Sequence, residues 1–101
     1  METRIYKYTL KVTNTQEIEM PKSSRILSVQ DQNGEINIWA VVWPHMEPEK
    51  RTFEIFGTGH ALQQDAEHQR TYIGTVITKN GHIVWHIFER LQSNFPVTLT
   101  P

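Results

Sequence analysis

Five histidines are the side chains of this sequence that first suggest metal or acid–base chemistry. His82 and His86 are four residues apart, a spacing that would place two zinc ligands on one face of a helix. They flank a predicted strand instead, where four residues span about 13 Å, too far to share an ion. His45, His60 and His68 lie in separate loops and could converge with loop carboxylates, although nothing in their spacing specifies a site. We therefore predict no metal and no cofactor.

The segment Gly57-Thr58-Gly59-His60 is the most suggestive loop. Glycines after a strand let the backbone approach an anion, and successive N–H groups can then surround it. The Rossmann and Walker nucleotide-binding patterns are absent, because there is no third glycine and no following Lys-Ser/Thr. Thr58 and His60 add polar groups beside the glycines. The alternative interpretation is that the two glycines only let the chain turn sharply out of a strand.

Two other segments complete a predicted ligand-binding set. Trp43 ends a strand beside His45, where an indole could line a binding edge. Lys50 and Arg51 are the first candidates to neutralise a bound anion. The set therefore comprises Trp43, His45, Lys50, Arg51, Gly57, Thr58, Gly59 and His60.

Catalytic patterns are missing from the sequence. Its acidic residues form no recognisable acid–base pair, and no serine stands in a nucleophile motif. The chain has no cysteine, so thiolate nucleophiles, disulfides and cysteine-based zinc sites are excluded. We expect no catalytic residues, while a small hydrolase that uses a loop histidine is kept as an unlikely third alternative.

The overall composition limits the partners. The chain has 101 residues, 10 Lys plus Arg and 11 Asp plus Glu, for a net charge of -1. This balance argues against general nucleic-acid binding, which normally needs a basic excess. The N-terminus lacks the apolar run of a signal peptide, and no segment approaches the roughly 20 apolar residues of a membrane span. We expect a cytoplasmic protein with no membrane contact.

Alternation with period two predicts the elements that position these residues. Two Asn-Gly pairs, Asn33-Gly34 and Asn80-Gly81, favour tight hairpins because both residues tolerate positive φ. The predicted fold is all-β, or β with one minor helix in Ala61 to Arg70, as a small antiparallel sandwich or open barrel. Residues 1–90 form one predicted domain, and residues 91–101 form a tail or docking arm.

The segment Glu35 to Trp43 is apolar on both of its faces. This pattern predicts a central strand that is covered on both sides. Trp39 and Trp43 share the second face, and their cover could be a second subunit, the C-terminal arm or a stacked ligand. A homo-oligomer is therefore one of the expected arrangements.

The sequence also resembles a family of small uncharacterised proteins found mainly in bacteriophages and prophages. The resemblance covers about residues 4–90 and rests on several short segments: Ile5-Tyr6-Lys7, Glu19 to Lys22, Ile26 to Val29, Asn33-Gly34, Trp39 to Val41, Glu49 to Arg51, Gly57 to His60, Tyr72 to Thr75, and Val84 to Glu89. Proteins of this family are described only as a domain of unknown function. The resemblance implies a phage accessory protein in the cytoplasm of an infected bacterial host.

Together these observations favour a non-catalytic binding protein. We expect it to sequester or block a host protein or a small anionic ligand. The alternative is a structural or assembly protein of the virion.

Overall fold

The computed structural model of the protein describes residues 2–78 and 82–91, which fold into seven β-strands in two antiparallel sheets. The all-β prediction is confirmed. Ala61 to Arg70, the segment of the predicted minor helix, contains bends and turns and enters a strand only at its last residue. The strands are β1 (Arg4–Leu10), β2 (Thr15–Pro21), β3 (Arg25–Gln32), β4 (Glu35–Val42), β5 (Pro48–Gly57), β6 (Arg70–Ile77) and β7 (Val84–Arg90).

The strands divide into a three-stranded sheet, in the order β1-β4-β3, and a four-stranded sheet, in the order β2-β5-β7-β6. The prediction that β4 is a central strand is confirmed, since it pairs with β1 on one side and β3 on the other. β2, which contains Glu17, is the first strand of its sheet and therefore an edge strand. Pro48 is the first residue of β5, a position where a strand loses no ladder hydrogen bond to proline.

The first predicted hairpin has the backbone that its sequence demands. Asn33 has φ 56° and Gly34 has φ 84°, and together they join β3 to β4. Positive φ at both positions matches the right-handed twist of the flanking strands. The second Asn-Gly pair lies outside the described residues. Its two arms pair antiparallel up to Ile77 and Val84, as a hairpin requires.

The core fills the space between the inner faces of the two sheets. Its largest fully buried side chains include Ile38 from the three-stranded sheet and Phe53 and Ile87 from the four-stranded sheet. Each such side chain contributes roughly 1.5–3 kcal/mol by leaving water. The core cluster is Leu10, Met20, Val29, Ile36, Ile38, Phe53, Ile55, Val76 and Ile87. Val12 lies beyond the end of β1 and is exposed.

The outer face of the three-stranded sheet is partly closed by its own polar side chains. Asn37 is 2% exposed, although its neighbours in β4 point to the core. Its amide oxygen accepts a hydrogen bond from the Thr9 hydroxyl at 2.6 Å. Lys7 Nζ donates to Gln32 Oε1 at 3.0 Å, so the lysine side chain crosses the face from β1 toward the end of β3. Trp39 is half-buried on this same face.

The two sheets approach closely along β3 and β6. A Cβ added to Gly74 would lie 2.7 Å from Val29 Cγ1, so only glycine fits at this point of β6 without a shift. The register of β6 against β7 also shifts between Tyr72 and Gly74. The register of β3 against β4 shifts in the same way between Ile26 and Ser28. The two strands that meet here, β3 and β6, therefore both contain an irregularity in their pairing.

Within the described part of the chain, no helical segment has the length and hydrophobicity that a membrane-spanning helix requires. Of the predicted C-terminal tail or arm, only Leu91 is described, and its N–H donates to the Gln69 carbonyl at 2.9 Å. The rest of that segment, residues 92–101, lies outside the described residues.

Candidate functional site

The predicted ligand-binding residues separate into two groups at opposite ends of β5. Lys50 and Arg51 lie near its beginning, while Gly57 is its last residue. Six strand residues span about 20 Å, so the cationic pair does not contact the glycine loop. Trp43 and His45 follow β4 at the Lys50 end, and His45 lines a shallow cleft of about 310 Å³ with Glu2, Arg4 and Pro44.

Arg51 joins the two sheets. Its Nε donates to Glu89 Oε2 at 2.5 Å and its Nη2 to Glu89 Oε1 at 2.8 Å, a bidentate ion pair between β5 and β7. Its Nη1 donates to the carbonyl of Ser24, just before β3. The hydrogen bond to Glu89 raises the pKa of Arg51, against the opposing effect of burial. Because Glu89 balances its charge, Arg51 fits a structural role better than anion binding.

Lys50 lies on the outer face of the four-stranded sheet, directly opposite Glu19 of β2. A cleft of about 500 Å³ opens near Arg51 on the inner side of the same sheet. Its polar floor is the Arg51–Glu89 ion pair, and its walls come from the segment Ser23 to Leu27 and from Thr71 to Ile73. Of the three charged residues that line this cleft, Arg51 and Glu89 bind each other, and Arg25 is exposed at its wall.

The Gly57–His60 loop is a tight turn that uses its own polar groups. The N–H of His60 donates to the Gly57 carbonyl at 3.0 Å, and the N–H of Gly57 donates to His60 Nδ1 at 3.1 Å. Gly59 has φ 91°, which favours glycine. The imidazole packs on Gly57, where an added Cβ would lie 2.9 Å from His60 Cε1. Two of the N–H groups expected to surround an anion therefore serve the turn itself.

This turn fixes the tautomer of neutral His60. Because Nδ1 accepts a backbone hydrogen bond, the proton of the neutral ring must sit on Nε2. His60 therefore keeps an N–H donor at Nε2.

A chain of hydrogen bonds ties the same loop to the outer face of the four-stranded sheet. Thr58 Oγ1 lies 2.8 Å from His86 Nε2, and His86 Nδ1 lies 3.1 Å from Thr75 Oγ1. The Tyr72 hydroxyl bonds to the same Thr75 oxygen. His86 is half-buried in β7. Each of its ring nitrogens faces a threonine hydroxyl, so the histidine holds the loop against the sheet.

Residues 58–69, the long loop between β5 and β6, cover one end of this outer face. Arg70 Nη1 donates to the Gln63 carbonyl, and Arg90 Nη2 donates to the Glu67 carbonyl at 2.5 Å. Asp65 Oδ1 accepts from the Glu67 N–H at 2.9 Å and lies 2.7 Å from His68 Nδ1. The His68 hydrogen bond is the main cause that lowers the pKa of Asp65.

A cleft of about 430 Å³, the loop cleft, lies between this loop and the sheet. Its lining brings together two of the three loop histidines, while His45 lies at the other end of the molecule. The lining residues are Asn14, Thr15, Glu54, Phe56, His60, Ala61, Gln63, His68, Arg70 and Arg90.

Charges in the loop cleft are unevenly matched. The buried Glu54 carboxylate is held by Arg70 Nε at 2.7 Å, and the Arg70 guanidinium carbon lies 5.4 Å from the centre of the Phe56 ring. His68 binds Asp65. Among residues 2–78 and 82–91, no carboxylate lies within the 4.0 Å of an ion pair to Arg90. The cleft therefore carries a positive charge at Arg90, and the His60 imidazole lines the same cleft.

Sequence reasoning identified two of the side chains that line this cleft, His60 in the predicted ligand-binding set and His68 among the loop histidines. It missed Arg90, because an arginine at the end of a strand is by sequence alone a solvated residue. It also missed Glu54 and Arg70, whose pairing across 16 residues depends on the order of the strands.

Comparison with known proteins gives a family and no activity. A family model described as Domain of unknown function (DUF7352) matches residues 1–96. No curated protein and no solved structure matches the chain.

Proposed function

We propose that this chain, which belongs to the family described as Domain of unknown function (DUF7352), is a non-catalytic binding protein that sequesters a small anionic ligand in the loop cleft. The observation that carries the proposal is the Arg90 guanidinium. It lines the loop cleft with no carboxylate partner among the described residues, while Glu54 is bound by Arg70 and Asp65 is hydrogen-bonded to His68. An anion would supply the missing partner.

The donors in the cleft suit a phosphate or carboxylate group. Arg90 has a planar guanidinium that matches two oxygens of such a group at once. His60 adds an N–H donor at Nε2, and Asn14 and Gln63 add side-chain amides. A volume of about 430 Å³ falls within the usual range for small-molecule sites and would hold a ligand up to about the size of a nucleotide.

The surroundings of His86 support binding rather than catalysis. Thr58 and His86 are close enough for a nucleophile and its general base. In a catalytic triad, however, a carboxylate orients the second nitrogen of the histidine and stabilises its charged form. Here that nitrogen meets the neutral hydroxyl of Thr75, which gives His86 no such support.

The proposal extends to the setting of the protein. The resemblance of segments such as Gly57 to His60 and Val84 to Glu89 to phage and prophage proteins supports a phage accessory role. In that role the protein would act in the cytoplasm of an infected bacterium and withdraw a small anion from a host process. Genomic analogy of this kind supports the setting without fixing the ligand.

The test is a two-dimensional NMR titration with inorganic phosphate, citrate and mononucleotides at constant ionic strength. We expect at least one of these anions to shift the resonances of Arg90 and the Gly57–His60 loop. His60→Gln should weaken this binding, while His45→Gln, a matched change in an exposed loop histidine at the other end of the molecule, should leave it unchanged. Equal weakening by both variants, or no shift with any of the anions, would contradict the proposal.

A further inference from the structure

The cleft of about 500 Å³ whose floor is the Arg51–Glu89 ion pair, the inter-sheet cleft, opens where the β3 and β6 edges separate. The two edges come closest at Val29 and Gly74, and the cleft lies beyond this point, toward the first residues of both strands. It shares no lining residue with the loop cleft. The inter-sheet cleft is therefore a separate opening, at one end of the space between the sheets.

Both walls of the inter-sheet cleft carry an irregular strand. The pairing of β3 with β4 leaves Leu27 without a partner, and the pairing of β6 with β7 leaves Ile73 without one. Such bulges redirect a side chain, and they are frequent beside binding sites. Both unpaired residues are apolar, and both line the cleft. Leu27 is 46% exposed, while Ile73 packs against the core cluster. The cleft is therefore an apolar opening that continues from the core.

The described part of the chain ends beside this opening. Glu89 of β7 belongs to the cleft floor, and two residues later the Leu91 N–H donates to the Gln69 carbonyl. Leu91 is 52% exposed. Only β6 separates β7 from the edge that borders the cleft, a step of about 5 Å. Four extended residues span about 13 Å, so the chain from Leu91 to Phe95 is long enough to enter the cleft.

Residues 92–101 have the composition that this opening requires. Phe95, Val97 and Leu99 alternate with Pro96 and Thr98, so an extended segment carries three apolar side chains on one side. The segment contains no charged side chain, and it can cover the ion pair on the cleft floor without burying a further charge. The family model also extends past the last strand and includes Phe95.

We propose that residues 92–99 dock in the inter-sheet cleft of their own chain, with the Phe95 ring between Leu27 and Ile73. Docking removes the exposed part of Leu27 from water and extends the core cluster through Ile73. Because the segment is tethered at Leu91, its effective concentration at the cleft is in the millimolar range, which favours it over the same segment of a second copy. The segment then closes the sandwich where β3 and β6 separate.

The test is NMR spectroscopy of the full chain, with nuclear Overhauser effects as the readout. We expect contacts from the Phe95 ring protons to the methyl groups of Leu27 and Ile73. Their intensity, relative to contacts within the core, should stay the same when the sample is diluted about tenfold, because the segment and the cleft belong to one molecule. A mixture of isotope-labelled and unlabelled chains should show no such contact between molecules.

Two variants test whether the cleft itself holds the segment. Leu27→Gln should remove the contacts between Phe95 and Ile73 and return the amide shifts of residues 93–99 toward random-coil values. Ile77→Gln is the matched control, since Ile77 is 61% exposed on β6 but does not line the cleft, and it should leave both unchanged. Dispersed amide resonances of β4 report that both variants stay folded.

Three results would overturn the proposal. The first is a wild-type spectrum without contacts from Phe95 to Leu27 and Ile73. The second is a set of contacts between Phe95 and Ile73 that persists in Leu27→Gln. The third is contact between molecules in the mixed sample, which would assign the cleft to the C-terminal segment of a second copy.

Discussion

Arg70 and Glu54 form an ion pair on the outer face of the four-stranded sheet that is nearly removed from water. Arg70 Nε lies 2.7 Å from Glu54 Oε1, and the two side chains are only 5% and 9% exposed. The same guanidinium bonds to the Gln63 carbonyl and lies over the Phe56 ring. One arginine therefore joins β6, β5 and the 58–69 loop, and it forms the floor of the loop cleft.

Removal of one partner of this ion pair should destabilise the fold. Arg70→Met leaves the Glu54 carboxylate buried without its cation, which we expect to lower the free energy of unfolding by about 3–5 kcal/mol. Urea denaturation measures the change. The double variant Arg70→Met/Glu54→Leu should recover much of the loss, because no charge then stays buried. A double variant as unstable as the single one would show that the charge is not the cause.

The second ion pair, Arg51–Glu89, should stabilise the fold through its hydrogen bonds. Glu89→Gln keeps the shape of the side chain but removes its charge, and it leaves the Arg51 guanidinium one acceptor oxygen on residue 89 instead of two. We expect a loss of about 1–3 kcal/mol, measured by urea denaturation. Glu19→Gln, the same change on an exposed strand position, is the control and should stay within about 0.5 kcal/mol of the wild type.

Gly74 should tolerate no side chain while Val29 faces it. Gly74→Ala places a Cβ 2.7 Å from Val29 Cγ1, inside van der Waals contact, and should destabilise the fold by about 1–3 kcal/mol. Val29→Ala removes the methyl groups that clash. The two changes should therefore be non-additive, with the double variant more stable than the sum of the single losses predicts. Strict additivity in thermal denaturation would rule out this contact.

The carboxyl of Asp65 should titrate below its usual range. The His68 hydrogen bond lowers the pKa of Asp65 in the folded chain, so its contribution to stability is present above the unfolded value of about 3.9 and is lost as the pH falls through the lower folded value. Carbon-detected NMR follows the carboxyl directly. His68→Ala should return the pKa of Asp65 toward about 3.9. An unchanged value in this variant would assign the shift to the Glu67 backbone N–H instead.

Local sequence patterns predicted the features of the fold that depend on near neighbours. Asn33-Gly34 identified its hairpin because positive φ is a property of those two residues. The two apolar faces of Glu35 to Trp43 identified β4 as central, because the residues of both faces lie within one continuous segment of the sequence.

The order of the strands could not be predicted in this way. The alternation of apolar and polar residues indicates which face of a sheet a side chain occupies. It does not indicate which strand lies beside the strand that carries this side chain. The pairs Arg51–Glu89 and Arg70–Glu54, which connect residues 38 and 16 positions apart, depend on β5 lying beside β7 and β7 beside β6.

The candidate site likewise combines features that depend on local sequence with features that depend on distant parts of the chain. His60 could be identified because its loop has an unusual local sequence. Sequence reasoning also grouped His60 with Lys50 and Arg51. The extended β5 strand separates Arg51 from the start of the His60 loop at Gly57 by about 20 Å. Arg90 enters the cleft only because the 58–69 loop folds back to meet the end of β7.

Isothermal titration calorimetry of the Arg90→Gln variant tests the central claim most directly. The titrants are inorganic phosphate, citrate and the mononucleotides, and the control is Arg25→Gln, an exposed arginine that begins β3. We predict that the wild type and Arg25→Gln bind the same anion with equal affinity, while Arg90→Gln binds it about tenfold or more weakly because a charge-assisted hydrogen bond is lost. Equal binding by wild type and Arg90→Gln, or no binding by the wild type, would contradict an anion site in the loop cleft.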